Sequence, residues 1–173
     1  MRAAKVVMLI GHRDFRDEEL LTPKRLLEEN GATVLIASSD LTPAKGMLGA
    51  TVPPDLLVKD VKVADYDAVV FVGGTGAQEY WEDPAAQQIT RDAVAQGKVL
   101  GAICLAPVTL ANAGVLKRKK ATVWYSEAPT LKAKGADYTG AKVEVDGRII
   151  TANGPEAAEE FGKAVLKALH GGG

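Results

Sequence analysis

The sequence predicts a single α/β domain, residues 1–173, whose mostly parallel sheet is covered by helices on both faces and ends in a small β-hairpin. Short runs of consecutive apolar residues alternate with longer segments of helical periodicity. Those runs lack the apolar-polar alternation of a half-exposed sheet, so both of their faces must be buried. A length of 173 residues suits one domain with a sizeable core.

The elements follow in order. Lys5 to Ile10 and Thr33 to Ser38 read as strands, and Leu20, Leu21, Leu26 and Leu27 mark a helix between them that stops at Asn30-Gly31, giving a βαβ unit. Ala68 to Val72 is a third strand closed by Gly73-Gly74, and Val99 to Ile103 a fourth, with a helix over Pro84 to Gln96 between them. Lys142 to Val145 and Arg148 to Ala152 flank Asp146-Gly147, a hairpin signal. A last helix runs from about Pro155 to Leu169, and residues 170–173 are expected to fray. No internal repeat or low-complexity linker interrupts the chain.

Charge narrows the function classes. Lys and Arg number 21 against 22 Asp and Glu, a formal net charge of −1 with the signs interleaved, so no footprint for nucleic acid or an anionic membrane is visible. The one basic run, Lys117-Arg118-Lys119-Lys120, reads as a solvated loop. No apolar stretch reaches membrane-span length, and Met1 to Lys5 runs straight into a strand, so a cytoplasmic protein without signal peptide is expected. A lone cysteine forms no internal disulfide, in keeping with a reducing compartment.

That cysteine is the chemical focus. Cys104 lies in Val99-Leu100-Gly101-Ala102-Ile103-Cys104-Leu105-Ala106-Pro107, where a strand pattern meets a helix start, the layout of a nucleophile elbow. A thiol there points into the crevice at the carboxyl end of the sheet, and the free N–H groups of the following helix favour thiolate. A small buried hydrophobe is an equal reading of the motif alone. Gly73-Gly74 ends a strand with no side chain in the way, so the Gly74 N–H can pair with that of Leu105 as an oxyanion hole; an ordinary tight turn is the alternative.

Asp17, Glu18 and Glu19 open the first helix, where carboxylates suit the dipole. Glu19 shares a stripe with Pro23 and Leu26 and turns toward the core, whereas Glu18 falls on the polar face. Buried, Glu19 would have a raised pKa, stay protonated and donate a hydrogen bond to the Cys104 thiolate. His12 follows the first strand and is a pocket candidate or a surface residue, and His170 belongs to the tail. No histidine or cysteine spacing suits zinc, and Gly73-Gly74-Thr75-Gly76 fits neither the dinucleotide nor the P-loop pattern, so neither metal nor cofactor is expected.

Phe15 through Pro23, Val72-Gly73-Gly74, Ala102 through Pro107, Ala113-Gly114-Val115-Leu116 and Thr151-Ala152-Asn153-Gly154-Pro155 together resemble the ThiJ/PfpI family. The resemblance implies a flavodoxin-like three-layer sandwich and a homodimer or higher assembly. It also implies Cys104 as nucleophile, Glu19 as its carboxylate partner and Gly74 with Leu105 as oxyanion donors. Peptidase-like members carry histidine directly after the cysteine, where this chain has Leu105, so a Cys–His–acid protease is disfavoured. The deglycase branch also lacks that histidine and relies on the Cys–Glu pair; its histidine from the strand after the elbow is replaced here by Trp124 or Tyr125. Trp124 and Asn153 join His12 as pocket candidates, while Gln78 and Glu79 stand near the position of a neighbouring-subunit carboxylate and receive no role. The expected substrate is a small reactive carbonyl or a glycated compound. A redox-sensing stress protein or chaperone oxidised at Cys104 is the alternative, and an intracellular cysteine peptidase the second.

Overall fold

The computed structural model of the chain describes residues 3–171. Its main sheet has seven strands: β1 (Lys5–Leu9), β2 (Thr33–Ser38), β3 (Leu56–Leu57), β4 (Ala68–Phe71), β5 (Val99–Ile103), β6 (Val143–Asp146) and β7 (Ile149–Ala152). They lie in the order β6-β7-β5-β4-β1-β2-β3. Every neighbouring pair is parallel except β6 with β7. Five helices accompany the sheet: α1 (Asp17–Glu29), α2 (Pro84–Ala95), α3 (Pro107–Asn112), α4 (Ala128–Ala133) and α5 (Ala158–His170).

Strand side chains alternate between faces, and this alternation builds two cores from continuous apolar runs. Val7, Leu9, Val69, Phe71 and Leu100 pack on one side with Ala86, Ile89, Ala93, Leu110 and Leu131 of α2, α3 and α4. Val6, Met8, Val70, Ile103 and Ile150 pack on the other with Leu20 and Leu27 of α1 and Phe161 and Val165 of α5. The result is the three-layer sandwich that the resemblance implied. Gly162 of α5 lies against Pro23 of α1, where an added Cβ would come within 3.1 Å of the proline Cα, so the two helices sit close together over the sheet.

Several details differ from the sequence expectation. Leu21 is 45% exposed, because consecutive residues on a helix cannot share a face and Leu20 takes the inward place. The hairpin pairs Asp146 with Ile149, so its loop is Gly147-Arg148 with Gly147 at φ +62°, one residue beyond the expected Asp-Gly. His170 completes α5 rather than fraying, and residues 172 and 173 lie outside the described segment. Two small sheets were not foreseen: Arg13–Phe15 with Ala44–Gly46 and Thr51–Val52, and Lys120–Ala121 with Asp137–Tyr138. Strands of two or three residues are too short to carry a period. Among the described residues, no helix is long and apolar enough to cross a membrane.

The first small sheet is tied to α1 through Asp17. This carboxylate, 7% exposed, accepts from the N–H groups of Leu48 and Ala50, each at 2.8 Å. It thereby fixes the loop carrying Met47 over the carboxyl end of the main sheet. Asp17→Ala leaves two backbone donors without their acceptor and is expected to cost about 2–3 kcal/mol. Denaturant unfolding measures it; an unchanged midpoint would contradict the assignment.

Candidate active site

Strand β5 ends at Ile103, and the chain turns at once. Cys104 adopts φ +66°, a left-handed conformation that costs a non-glycine residue roughly 1–3 kcal/mol. Its backbone is pinned on both sides: its N–H donates to the Ala152 carbonyl at 2.9 Å, and its carbonyl accepts from the Trp124 N–H at 2.8 Å. The neighbouring segments therefore hold the thiol in place.

Gly73 and Gly74, at the end of the adjacent strand, allow the close approach that the elbow requires. A Cβ on Gly73 would meet a Glu19 carboxylate oxygen and lie 2.5 Å from the Cys104 Cβ. Gly74 has φ +94° and backs onto the Arg16 and Asp14 backbones. The Gly73 carbonyl accepts from the Arg16 N–H at 2.9 Å, which anchors the start of α1 beside the elbow. One turn later Glu19 points inward and is fully buried. The structure thus brings together Cys104, Glu19, Gly74 and Leu105.

The electrostatics are those of a buried pair. Neither carboxylate oxygen of Glu19 has a hydrogen-bond partner at good geometry, although the Cys104 thiol and the Gly73 N–H are near enough to act on its charge. Burial dominates and raises the carboxyl from its ordinary 4.5 to about 8, with Cys104 lowering it in part. Cys104 is 7% exposed; burial, then the Glu19 charge, push its thiol up to about 12 against the opposing N–H groups of Gly74 and Leu105. Burial and the Glu19 charge thus oppose the thiolate expected from the helix end, while the Gly74 and Leu105 N–H groups favour it. Helix α3 begins only at Pro107 and has six residues, so its dipole is weak and displaced from the sulfur. The pair gives up its protons in separate steps, and between them one proton is shared.

The thiol opens into a pocket of about 160 Å³ walled by Arg16, Met47, Gly74, Thr75, Leu105, Trp124 and Pro155. Arg16, Trp124 and Pro155 also border a wider cleft of about 680 Å³, which Glu18, Tyr125 and Asn153 help to line. Asn153 thus belongs to this outer cleft. His12 is placed elsewhere: its Nε2 meets Thr42 Oγ1 at 2.9 Å, in a separate polar cleft with Gln78 and Glu79. Glu79 accepts there from the His12 N–H and the Ser39 hydroxyl. The lining of the Cys104 pocket contains no histidine.

Arg16 was missed from the sequence. It precedes three acidic residues as the N-cap of α1, and that charge contrast was the available signal. Among the described residues, no group of three or more His, Cys, Asp or Glu could hold a metal ion.

The raised Glu19 pKa fixes a pH dependence of stability. Below about 4.5 both folded and unfolded chains hold the proton; between there and about 8 only the folded chain does, so stability falls as pH rises. The slope is up to about 1.4 kcal/mol per pH unit, levelling above the folded-state pKa. Glu19→Gln cannot ionise, so its stability advantage over wild type is expected to grow across this window. Unfolding free energies at a series of pH values test it, and a pH-independent difference would contradict it.

Comparison with known proteins agrees with this architecture. Residues 4–168 match the DJ-1/PfpI family. An uncharacterized protein of Methanocaldococcus jannaschii is 44% identical over 172 residues, covering 98% of this chain and 84% of that protein. A glutathione-independent glyoxalase of Caenorhabditis elegans is 30% identical over 165 residues, covering 95% and 88%. The crystal structure of a ThiJ/PfpI domain protein from Brachyspira murdochii superposes with a TM-score of 0.96 at 29% identity and covers 99% of each chain. The chain belongs to the DJ-1/PfpI family.

Proposed function

We propose that the chain processes small reactive carbonyl compounds in the manner of a glyoxalase or deglycase, with Cys104 as nucleophile and Glu19 as the proton carrier. The observation that carries this reading is the fully buried Glu19 carboxyl, without a hydrogen-bond partner of its own, set against the thiol at the floor of a small pocket. The glyoxalase name of the C. elegans relative supports the reaction class.

Methylglyoxal illustrates the chemistry. Sulfur adds to the aldehyde carbon as the S–H proton passes to the Glu19 carboxylate, and the carbonyl π pair moves onto oxygen. The N–H groups of Gly74 and Leu105 stabilise that charge until Glu19 returns the proton. Removal of the proton from the thiol-bearing carbon and reprotonation at the neighbouring carbon gives a lactoyl thioester. Water then hydrolyses it to lactate and the free thiol. A thiol raised this far attacks only as its proton leaves, and a carboxylate with pKa about 8 is a stronger base than an ordinary one.

Peptide cleavage suits the site less. The leaving amine must be protonated, and position 105 carries leucine, whose carbonyl accepts from the Trp81 indole N–H at 2.9 Å.

Lactate formation from methylglyoxal, run beside peptide hydrolysis, tests the reading. Wild type is expected to form lactate without added glutathione, Cys104→Ala to form none, and Glu19→Gln to lose about 10²–10⁴-fold. The wild-type rate should rise with pH through about 8 as Glu19 becomes a base. Efficient peptide cleavage abolished by Cys104→Ala, with no lactate, would overturn it. The family resemblance also supports a homodimer or larger assembly; sedimentation at micromolar concentration should show it, and a strict monomer would contradict that part.

A further inference from the structure

The pocket wall contains one charged side chain, and the carbonyl chemistry does not use it. Arg16 lines the space above the sulfur together with Met47, Leu105, Trp124 and Pro155, and it also borders the wider cleft beside Glu18. Its guanidinium is oriented by Glu18, which accepts from Nε at 2.8 Å and from Nη2 at 3.1 Å. That carboxylate takes one edge of the planar fork. The other edge, Nη1 with the second Nη2 hydrogen, has no hydrogen-bond partner among the described residues. An unused, pre-oriented arginine edge in a largely apolar pocket matches a planar carboxylate, which accepts two parallel hydrogen bonds from it. Arg16 is also close enough to the site for the charges of Glu19 and Cys104 to act on it. Glu18 cancels its net charge, so discrimination comes from the direction of the free N–H groups rather than from a long-range field.

We propose that Arg16 is a specificity-determining residue that selects carbonyl substrates bearing a carboxylate directly on the reacting carbonyl carbon. This rests on the carbonyl reading of Cys104 and names its substrate class. In the adduct, sulfur bonds to the carbonyl carbon, the π bond opens, and the thiol proton passes through Glu19 to oxygen, while the carboxylate remains on the free edge of Arg16. Glyoxylate can form this hemithioacetal, but it has no second carbonyl to carry the rearrangement further. It is therefore a reversible probe.

The experiment is protection of Cys104 from iodoacetamide by glyoxylate, compared with protection by the neutral aldehyde propanal. The readout is the ratio of their half-protecting concentrations. The ratio removes effects on folding or on thiol reactivity, which both aldehydes share. Arg16→Gln is expected to shift the ratio against glyoxylate by at least about tenfold, the size of one lost charge-assisted contact. Arg16→Lys, which keeps the charge but not the fork, should give an intermediate shift and decides the matter if the glutamine variant does not fold. Equal ratios in wild type and the folded variants overturn the inference while leaving the carbonyl reading intact. Failure of both aldehydes to protect wild-type Cys104 overturns both.

Discussion

A carboxyl with no exposed surface and no hydrogen-bond partner of its own is costly to ionise, and the arrangement around Cys104 depends on that cost. Glu19 can keep its charge only by paying desolvation, so it keeps a proton instead, and the group near enough to share that proton is the thiol. Asp17, two residues earlier on the same helix, shows the other solution. It too is buried, but two backbone N–H groups satisfy it, and it serves the scaffold. One turn of helix therefore contains a carboxylate stabilised by donors and a carboxyl stabilised by a proton. Only the second is poised to exchange that proton.

The rest of the site consists of restraints that keep this pair together. The left-handed Cys104 backbone is held by Ala152 and Trp124, contributed by segments distant in sequence. Gly73 removes the Cβ that would separate the carboxyl from the sulfur, and the Gly73 carbonyl secures the helix start through Arg16. The three-layer sandwich supplies the rigid base: β5 between β4 and β7 fixes the position of the elbow, while α1 against α5 fixes the depth of Glu19. Backbone strain at one residue is thus supported by packing throughout the carboxyl end of the sheet.

Much of this was legible in the sequence because it follows from local periodicity. Unbroken apolar strands dictated a sheet buried on both faces, and the helical phase of α1 turned Glu19 inward with Pro23, although Leu27 rather than Leu26 completes the buried face. What was not legible depends on tertiary placement. The thiol was expected to be acidified by the helix after it, yet that helix starts only at Pro107, three residues past the sulfur, and burial opposes the effect. His12 leaves a central strand, but Thr42 and Glu79 turn it into a different cleft. Arg16 gained meaning only when the fold brought Trp124 and Pro155 into the same pocket lining. The short strands around Ala44–Gly46 were invisible because runs of two or three residues carry no period, and the turn between two of them is held from a distance by Asp17.

The central claim is that Glu19 is a neutral carboxylic acid in contact with Cys104 at neutral pH. Infrared difference spectroscopy between wild type and Glu19→Gln observes it directly, since a protonated carboxyl has a carbonyl band that a carboxylate lacks. The account predicts such a band at pH 7, shifted in Cys104→Ser and bleached as pH rises through about 8. A carboxylate signal from Glu19 already present at pH 6, or a carboxylic acid band indifferent to Cys104→Ser, would contradict it.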